Sequence, residues 1–489
     1  MREIKKSDQQ LGGLDTLFLK VEHPRRLMTV TSIWTFKQRL DQKQVYKVLE
    51  RLCEEYPRFA KTPAHEGFFR PATWIEPAGW SFQDNIVNHT LKEPTKKALQ
   101  KYCAEQVVTP FDYTKPLWEL HAISGLENGH YAFFWKAHHA LADGEGFIRS
   151  LLSTTSLGST LKKLEEQSVV SHRRKKDIIA ADKKRSSDTD TDRPKSSLQK
   201  AFAYISAMVN LLWLVLYQIY VYSVVTIHDL YCVLLCILPV TRKDLYYKGL
   251  QSHDKEMAWS KDVSIKDIKF VREAFGGTLN DVMLLVITRC LKGYLESIGK
   301  RSDNYISFII PVSLREPSDW SFQNVVSGSW GFFSMNDLDT KQLLRQVKTE
   351  MLAIKNSFGP RMLYEIWQWF FGHAPGLSPP MSVYNHICDI PHGVFTNVPG
   401  PTVPIDFAGE EIQEYRTFPP QCGKGSIGMA LISYSGKVSI GAIADVHRDY
   451  PQVANGVCSR FADEFQLVLD EARMETSKKN ANLKLHKKE

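Results

Sequence analysis

Residues 201–241 form an apolar segment that limits how the rest of the chain can fold. The segment, AFAYISAMVNLLWLVLYQIYVYSVVTIHDLYCVLLCILPVT, contains one formal charge, at Asp229. Its charge-free part, from Ala201 to Ile227, is longer than the ~20 residues that a helix needs to cross a bilayer core. We expect this segment to be embedded in a membrane or to lie on one, and the alternative is a long helix buried in the protein.

The region before this segment, residues 1–160, has a mixed α/β pattern. QVYKVLERLCEEYP spaces its apolar residues as one face of a helix. Two alternating runs flank Asn128-Gly129, which is a strong signal for a hairpin and hence for antiparallel strands. FIRSLLSTTSL then predicts a helix.

The region after the segment, residues 242–475, has the same kind of pattern. TLNDVMLLVITRCLKGYL and YPQVANGVCSRFADEFQLVLDEA predict helices. NYISFIIPVS predicts a buried strand that ends at Pro311, and a hairpin is expected to turn at Ser435-Gly436. The fold class expected for both regions is therefore α/β (α+β).

Two basic, polar segments complete the chain: a linker at residues 161–200, expected to be disordered, and a tail at residues 476–489. The net charge of +8 is concentrated around these segments, so a nucleic-acid groove in the folded units is not expected. Because the basic linker adjoins the apolar segment, it favours contact with an anionic membrane surface.

The eight cysteines show neither a CxxC pair nor the spacing of metal ligands, so we expect reduced cysteines and no metal. The sequence MREIKKSDQQLGG at the start has no apolar core of a secretory signal. Both features favour catalytic units that face the reducing cytosol.

The stretch YAFFWKAHHALADGEGF places His138 and His139 at the end of a predicted strand. Successive strand residues point to opposite faces, so only one histidine can enter a given cleft, and the other is expected to support it. Histidine can take a proton from a hydroxyl and return it to a leaving group. Asp143 can orient the base, pair with a distant arginine or cap the following helix, and Gly144 allows close approach of backbone or substrate.

The string HHALADG resembles the HHxxxDG motif of the CoA-dependent acyltransferase superfamily, and the closest resemblance is to the wax ester synthase/diacylglycerol acyltransferase family. Further stretches resemble that family in the same order along the chain: LGGLDTLFLKVEHP, PLW (Pro116, Leu117, Trp118), LND (Asn280, Asp281), PVSLR (ending at Arg315) and TNVPGP (Thr396, Asn397). The resemblance implies two halves like chloramphenicol acetyltransferase, with mixed, largely antiparallel sheets and the active-site channel between them.

The resemblance also implies roles for these residues, and each role has a structural alternative. Asn280 is expected near the histidines, whereas Asp281 also fits a capping box with Thr278. Arg315 is expected to pair with Asp143 and brace the catalytic loop, or else to be a surface residue.

Pro116, Leu117 and Trp118 are expected near the substrate entrance, although core packing would also explain them. Thr396 and Asn397 are expected to contact substrate, with Asn397 as a donor to the oxyanion, although asparagine also favours turns.

The activity implied is transfer of a fatty acyl group from acyl-CoA, a substrate rather than a cofactor, to a long-chain alcohol or a diacylglycerol. The chain has no GxSxG nucleophile motif, which favours direct attack by the acceptor hydroxyl with His139 as base.

Both acceptors dissolve in membranes. A channel between the halves requires both of them on one side of the bilayer, so residues 201–241 are expected to be re-entrant or interfacial. We expect the halves to face the cytosol at the endoplasmic reticulum or a lipid droplet. Two alternatives remain: an amide-forming condensation domain, which shares HHxxxDG, and a non-catalytic protein that binds neutral lipid.

Overall fold

The computed structural model of the protein describes residues 10–64, 72–155, 157–158, 197–237, 251–300, 304–423 and 425–485. The expected linker, up to residue 196, and the last four residues of the expected tail lie outside these ranges. Before the apolar segment the elements are α1 (Gly13–Val21), β1 (Thr29–Phe36), α2 (Gln42–Glu55), β2 (Thr62–Ala64), β3 (Thr73–Ile75), β4 (Ile86–Thr90), α3 (Lys96–Val107), β5 (Trp118–Ser124), β6 (Tyr131–His138) and α4 (Gly144–Ser153).

Residues 201–237 of the apolar segment lie in helix α5 (Ser197–Ile237), which begins four residues inside the expected linker, and the last four residues of the segment lie outside the described ranges. The helix is followed by β7 (Lys255–Trp259), β8 (Val263–Ser264), α6 (Ile265–Phe275), α7 (Leu279–Ser297), β9 (Tyr305–Ser313), β10 (Val326–Ser334), α8 (Thr340–Asn356), α9 (Gly359–His373), α10 (Met381–Asp389), β11 (Gly393–Val398), β12 (Asp406–Phe407), β13 (Glu410–Glu411), β14 (Glu414–Phe418), β15 (Ile427–Tyr434), β16 (Lys437–Asp445) and α11 (Val453–Leu485).

Two sheets organise the molecule, and one strand crosses between them. The first has the order β14-β1-β6-β5-β4 and the second β10-β9-β11-β15-β16-β7, with β8 also paired to β16. Most neighbours are antiparallel; β4–β5, β11–β15 and β11–β9 are parallel. Strand β14 comes from the second half of the sequence but pairs with β1 of the first sheet. The mixed α/β prediction is confirmed, and the exchanged strand joins the two halves into one body.

Both predicted hairpins form at the expected turns. Strands β5 and β6 pair across a turn in which Asn128 has a φ of 59°, and β15 and β16 pair across Ser435 and Gly436, with φ of 48° and 75°. These left-handed conformations suit asparagine and glycine and match the twist of the strands.

The predicted end of β9 at Pro311 is wrong by two residues, because the strand continues to Ser313. Proline lacks an N–H, so it is tolerated in a strand only where no neighbour needs that donor. Strand β11 pairs with β9 only as far as Ile309, so Pro311 faces a position without a strand on that side. Its other side still pairs with Gly328 of β10.

Helix α5 leaves most of its described apolar side chains exposed. A stripe formed by Val221, Val225, His228 and Leu235 is buried and faces the body. Phe202 and Trp213, by contrast, are 75% and 69% exposed. The alternative of a long buried helix is therefore wrong, and Met208–Leu235 is long and apolar enough to cross a membrane by length and composition.

Candidate functional site

The two adjacent histidines point to different environments. His138 ends β6 with a fully buried side chain, whereas the half-buried ring of His139 lines the apolar cavity described below. The backbone N–H of His139 donates to the Met28 carbonyl at 2.7 Å, and that of His138 to the Leu117 carbonyl at 2.9 Å. These bonds hold the pair between β1 and β5.

The buried side chain of His138 contacts the backbone of Ala140 and the carboxylate of Glu22. Its Nδ1 accepts a hydrogen bond from the Ala140 N–H at 3.0 Å, and its Nε2 lies 2.9 Å from Glu22 Oε2. Glu22 also accepts bonds from the Met28 N–H and the Tyr113 hydroxyl. Burial alone would raise the pKa of Glu22, but its contacts with His138, the Met28 N–H and the Tyr113 hydroxyl lower it overall. The contact joins the end of α1 to the end of β6.

Asn324 determines which nitrogen of His139 carries the proton. The amide of Asn324 donates from Nδ2 to the Asp15 carboxylate at 2.8 Å and to the His139 carbonyl at 2.7 Å. The Asp15 carboxylate and the His139 carbonyl can only accept hydrogen bonds, so the NH₂ group of Asn324 must face them. The amide oxygen of Asn324 therefore faces His139 Nδ1, 3.0 Å away. Nδ1 then donates its proton to that oxygen, and Nε2 retains a free lone pair. This tautomer is the one that a general base requires.

A buried ion pair continues this chain of contacts. Asp15, in the first turn of α1, lies 2.9 Å from Arg58 Nη2 and accepts the Gly12 N–H at 3.1 Å. Arg58 also donates to the Leu141 carbonyl at 2.9 Å. The ring of Phe18 packs on His139 with centroids 4.2 Å apart. The imidazole is thus held by a charge-compensated network and an aromatic contact, so its plane is fixed.

Burial lowers the pKa of His139 below its ordinary value, and this effect exceeds the raising effects of its hydrogen bonds and of Asp143. An unperturbed histidine titrates near pH 6.5. The ring is therefore neutral, and able to accept a proton, at neutral pH.

Asp143 caps a helix and pairs with arginine, and these contacts engage both of its oxygens. Oδ1 accepts the Gly146 N–H at 2.7 Å, which caps α4. Oδ2 accepts from Arg315 Nη2 at 3.1 Å and from the Val325 N–H at 2.8 Å. Of the three roles considered for Asp143, the cap and the arginine pair are present, whereas direct orientation of His139 falls to Asn324.

Arg315 is deeply buried and organises the loop that carries Asn324. Besides Asp143, its guanidinium donates to the carbonyls of Ser321 and Gln323 at 2.8 and 2.7 Å. The alternative of a surface arginine is wrong. Because Asn324 follows Gln323 directly, this brace sets the position of the amide that orients His139.

Four further residues of the second half were predicted to belong to the site, and two of them line the cavity. Thr396 and Asn397 line it, and the Asn397 side-chain amide donates to the Asn280 side-chain oxygen. Asp281 forms the capping box with Thr278 at the start of α7, with bonds of 2.7 and 3.3 Å. Asn397 thus faces the cavity directly, and Asn280 supports it from behind.

The PLW stretch lies in the core rather than on the cavity wall. Pro116, Leu117 and Trp118 are buried, and Trp118 donates its indole N–H to the Phe59 carbonyl at 2.7 Å. Their carbonyls accept bonds from Asn85 and His138. Their position gives no support to a role at the substrate entrance, because these contacts commit them to holding β5 and β6.

An apolar cavity of about 660 Å³ reaches His139 from between the two sheets. Its wall combines α1, β1 and β14 with α5, β9, β10, α9 and β11. Gly144 also lines it, and a Cβ there would meet only Val398 Cγ2 at 3.7 Å, so the space beside His139 is open. Among the residues that the structure describes, no group of His, Cys, Asp and Glu is arranged to hold a metal ion.

Sequence reasoning did not single out Asp15, Glu22, Arg58 or Asn324. Asp15 lies within LGGLDTLFLK, a stretch noted for its resemblance, but its partner Asn324 is more than 300 residues away. No local pattern marks such a contact.

Comparisons with known proteins agree with this architecture. Residues 11–223 match the model of the wax ester synthase/diacylglycerol acyltransferase catalytic domain, and residues 324–468 match the C-terminal domain of the same family. The chain is 21% identical to the O-acyltransferase WSD of Acinetobacter baylyi, over 94% of this chain and 96% of that protein.

Solved structures show the same fold. The wax ester synthase/diacylglycerol acyltransferase from Marinobacter aquaeolei VT8 superposes with a TM-score of 0.58 at 18% identity, covering 96% of this chain and all of that one. The first condensation domain of the calcium-dependent antibiotic synthetase also gives a TM-score of 0.58, at 12% identity over 95% and 97% of the two chains. The predicted two-half fold is confirmed, and the chain belongs to the wax ester synthase/diacylglycerol acyltransferase family.

Proposed function

We propose that this protein is an O-acyltransferase that moves a fatty acyl group from acyl-CoA to a long-chain alcohol, a diacylglycerol or both. The observation that carries the proposal is the geometry of His139. Its protonated Nδ1 is fixed by Asn324, and its unprotonated Nε2 belongs to a ring that lines a large apolar cavity. The family membership of the chain supports the same activity.

The proposed reaction needs no covalent enzyme intermediate. Nε2 of His139 takes the proton of the acceptor hydroxyl, and the hydroxyl oxygen attacks the thioester carbonyl carbon. The tetrahedral oxyanion then collapses, the carbon–sulfur bond breaks, and the departing thiolate takes the proton back from Nε2. The side-chain amide of Asn397, on the cavity wall, is the proposed donor to the oxyanion.

The buried network has a defined part in this scheme. When His139 becomes an imidazolium, the Asn324 oxygen still accepts the hydrogen bond from Nδ1–H, while the Asn324 amide donates to the Asp15 carboxylate. The amide dipole therefore already points its negative end at the ring when the ring turns positive, and no reorganisation is needed.

An assay of the purified full-length protein tests the activity. The protein is given labelled acyl-CoA and, separately, hexadecanol, a diacylglycerol and a long-chain amine in detergent. Ester or triacylglycerol product supports the proposal. Amide product alone would favour a condensation-type enzyme, and bound lipid without turnover would favour a lipid-binding protein.

We predict that the rate falls on the acid side with a midpoint below pH 6.5. Burial lowers the pKa of His139, so the ring stays neutral and active at pH values where an exposed histidine is already half protonated. The measurement is the pH dependence of kcat/KM. A midpoint above 6.5 would contradict a buried neutral base.

We predict that Asn324→Ala lowers kcat roughly 10- to 100-fold, the range expected when a partner that orients a functional imidazole is removed. The same variant should move the acid midpoint to lower pH, because the ring loses a hydrogen bond that raises its pKa. The exposed neighbour Gln323, changed to alanine, is the control. An unchanged pH profile in Asn324→Ala would mean that Asn324 does not act on the ring.

The proposed acceptors are membrane lipids, and helix α5 supports a membrane location. Its exposed apolar surface is unfavourable in water and favours contact with another apolar surface, such as lipid. The adjacent basic stretch, residues 173–200, would attract anionic lipid at about 1 kcal/mol per well-placed lysine or arginine. Because the two halves form one body, we propose that α5 inserts partway or lies in the interface, with the catalytic halves on the cytosolic face of the endoplasmic reticulum or a lipid droplet.

A further inference from the structure

The catalytic cavity has an apolar rim on one side of the molecule. Three residues both line the cavity and are highly exposed, which places them at its mouth: Val233 on α5, and Phe358 and Met362 at the start of α9, with exposures of 51%, 76% and 60%. Apolar side chains at a mouth lose contact with water only if something apolar covers them.

This rim is continuous with the surface of α5. The Ser357 hydroxyl donates to the Asp229 carboxylate at 2.8 Å, which ties the start of α9 to α5. Further along α9, Ile366 and Trp369 are also exposed and continue the stripe of Phe358 and Met362 at helical spacing. Tryptophan is enriched where proteins meet the membrane–water boundary.

The cavity leads from this rim towards the catalytic loop. Residues 326–330 of β10 all line it, and Asn324, the partner of His139, lies just before them. At about 3.3 Å per residue, Val326 and Trp330 are roughly 13 Å apart. His228 of α5 contacts the Trp330 carbonyl at 2.9 Å, so α5 meets the far end of this path.

Near Asp143 the lining includes polar side chains. The exposed Ser313 donates its hydroxyl to Glu145 at 2.8 Å, and both residues line the cavity near Asp143. The apolar rim is therefore a local feature and not the character of the whole opening.

From these contacts we infer that the mouth between α5 and α9 lies against the lipid bilayer and that the acceptor alcohol enters sideways from the bilayer, without passing through water. The stripe Phe358, Met362, Ile366 and Trp369 is the second membrane-contacting surface beside α5. This inference rests on the proposed function, since it assigns the route of its acceptor.

Activity assays on the full-length protein test the route. The variant Ile366→Ser/Trp369→Ser changes the stripe outside the cavity wall and is compared with Leu467→Ser/Met474→Ser, which changes two exposed apolar residues of α11. We expect the first variant to lose at least about tenfold in kcat/KM for diacylglycerol embedded in phosphatidylcholine–phosphatidylserine vesicles, since burial of even one large apolar side chain changes an equilibrium by that factor. Its rate with water-soluble hexanol should match wild type, and the α11 variant should match wild type with both acceptors.

Crosslinking gives a reading that does not depend on turnover. Vesicles containing a diazirine-bearing diacylglycerol are irradiated with the wild-type protein, and crosslinked peptides are mapped. We expect crosslinks at residues 229–234 and 357–369 and none at 453–474. Equal loss with both acceptors, or crosslinks spread over α11, would overturn the route. Crosslinks at the rim without any ester formation would overturn the proposed function and leave the membrane contact standing.

Discussion

Replacing His139 with alanine is expected to lower acyl transfer by roughly 10²- to 10⁴-fold, the contribution typical of a positioned general base. Loss below detection is also consistent, because the same ring positions the hydroxyl and moves its proton. The measurement is the initial rate of ester formation by purified protein at saturating acyl-CoA. The fold should survive, since the removed ring is half-buried beside an existing cavity.

The matched control is His130→Ala, which removes an exposed histidine from the turn that precedes β6. This variant should keep wild-type activity. If His139→Ala retained more than about a tenth of the wild-type rate while folding normally, the proton would have to move by another group, since a positioned base contributes far more than that factor.

Replacing Asp143 with alanine is expected to have the largest effect on stability. The side chain of Arg315 is fully buried and that of Asp143 is 6% exposed, so the variant leaves the buried guanidinium with the partly exposed Asp319 carboxylate, 3.1 Å away, as its remaining charged partner. Removal of one partner from a buried pair costs about 3–5 kcal/mol when no counter-charge remains, so we expect a smaller loss than that from the pair, and the lost cap of α4 adds about 1 kcal/mol. The expected result is a markedly lower midpoint of chemical or thermal unfolding, or failure to accumulate as folded protein.

Two comparisons isolate this effect. Asp143→Asn keeps an oxygen that can accept the Gly146 N–H, so it should keep the cap of α4 but not the charge. Its stability should lie between those of the wild-type protein and Asp143→Ala. Glu105→Ala breaks the exposed pair with Lys101, which is worth at most about 1 kcal/mol. Equal stability of Asp143→Ala and Glu105→Ala would contradict the assignment of a buried brace.

The parts of the fold that depend on local chemistry could be predicted from the sequence. Asn128-Gly129 and Ser435-Gly436 specify hairpins because glycine and asparagine adopt left-handed backbone conformations readily. The Thr278–Asp281 capping box likewise fixes the start of α7. The exchange of β14 onto the first sheet has no local signal, because strand pairing between distant segments depends on how the two halves assemble.

The candidate site divides in the same way. His139, Asp143 and Gly144 share one short strand-to-helix connection, so their proximity is visible in the sequence. The pairing of Asp143 with Arg315 was expected from the resemblance to a known family. Asp15 and Asn324 come from the two halves of the chain and meet only after α1 packs against α9 of the second half, so their contact required the structure.

The apolar segment illustrates the limit of composition. Its length and lack of charge predict contact with a membrane, but they do not distinguish a buried helix from an exposed one. The exposed fractions of its side chains show that the helix is not buried. The contacts of His228 with Trp330 and of Asp229 with Ser357 show that it packs beside β10 and the start of α9.

The most direct test of the account is product analysis in cells that lack their own neutral-lipid synthesis. Cells expressing the wild-type protein and fed labelled fatty acid, with and without a long-chain alcohol, are predicted to accumulate labelled wax ester, triacylglycerol or both. Cells expressing equal amounts of the His139→Ala protein are predicted to accumulate neither. Absence of both lipids with the wild-type protein, or equal accumulation with both proteins, would contradict the claim that His139 catalyses acyl transfer to a lipid alcohol.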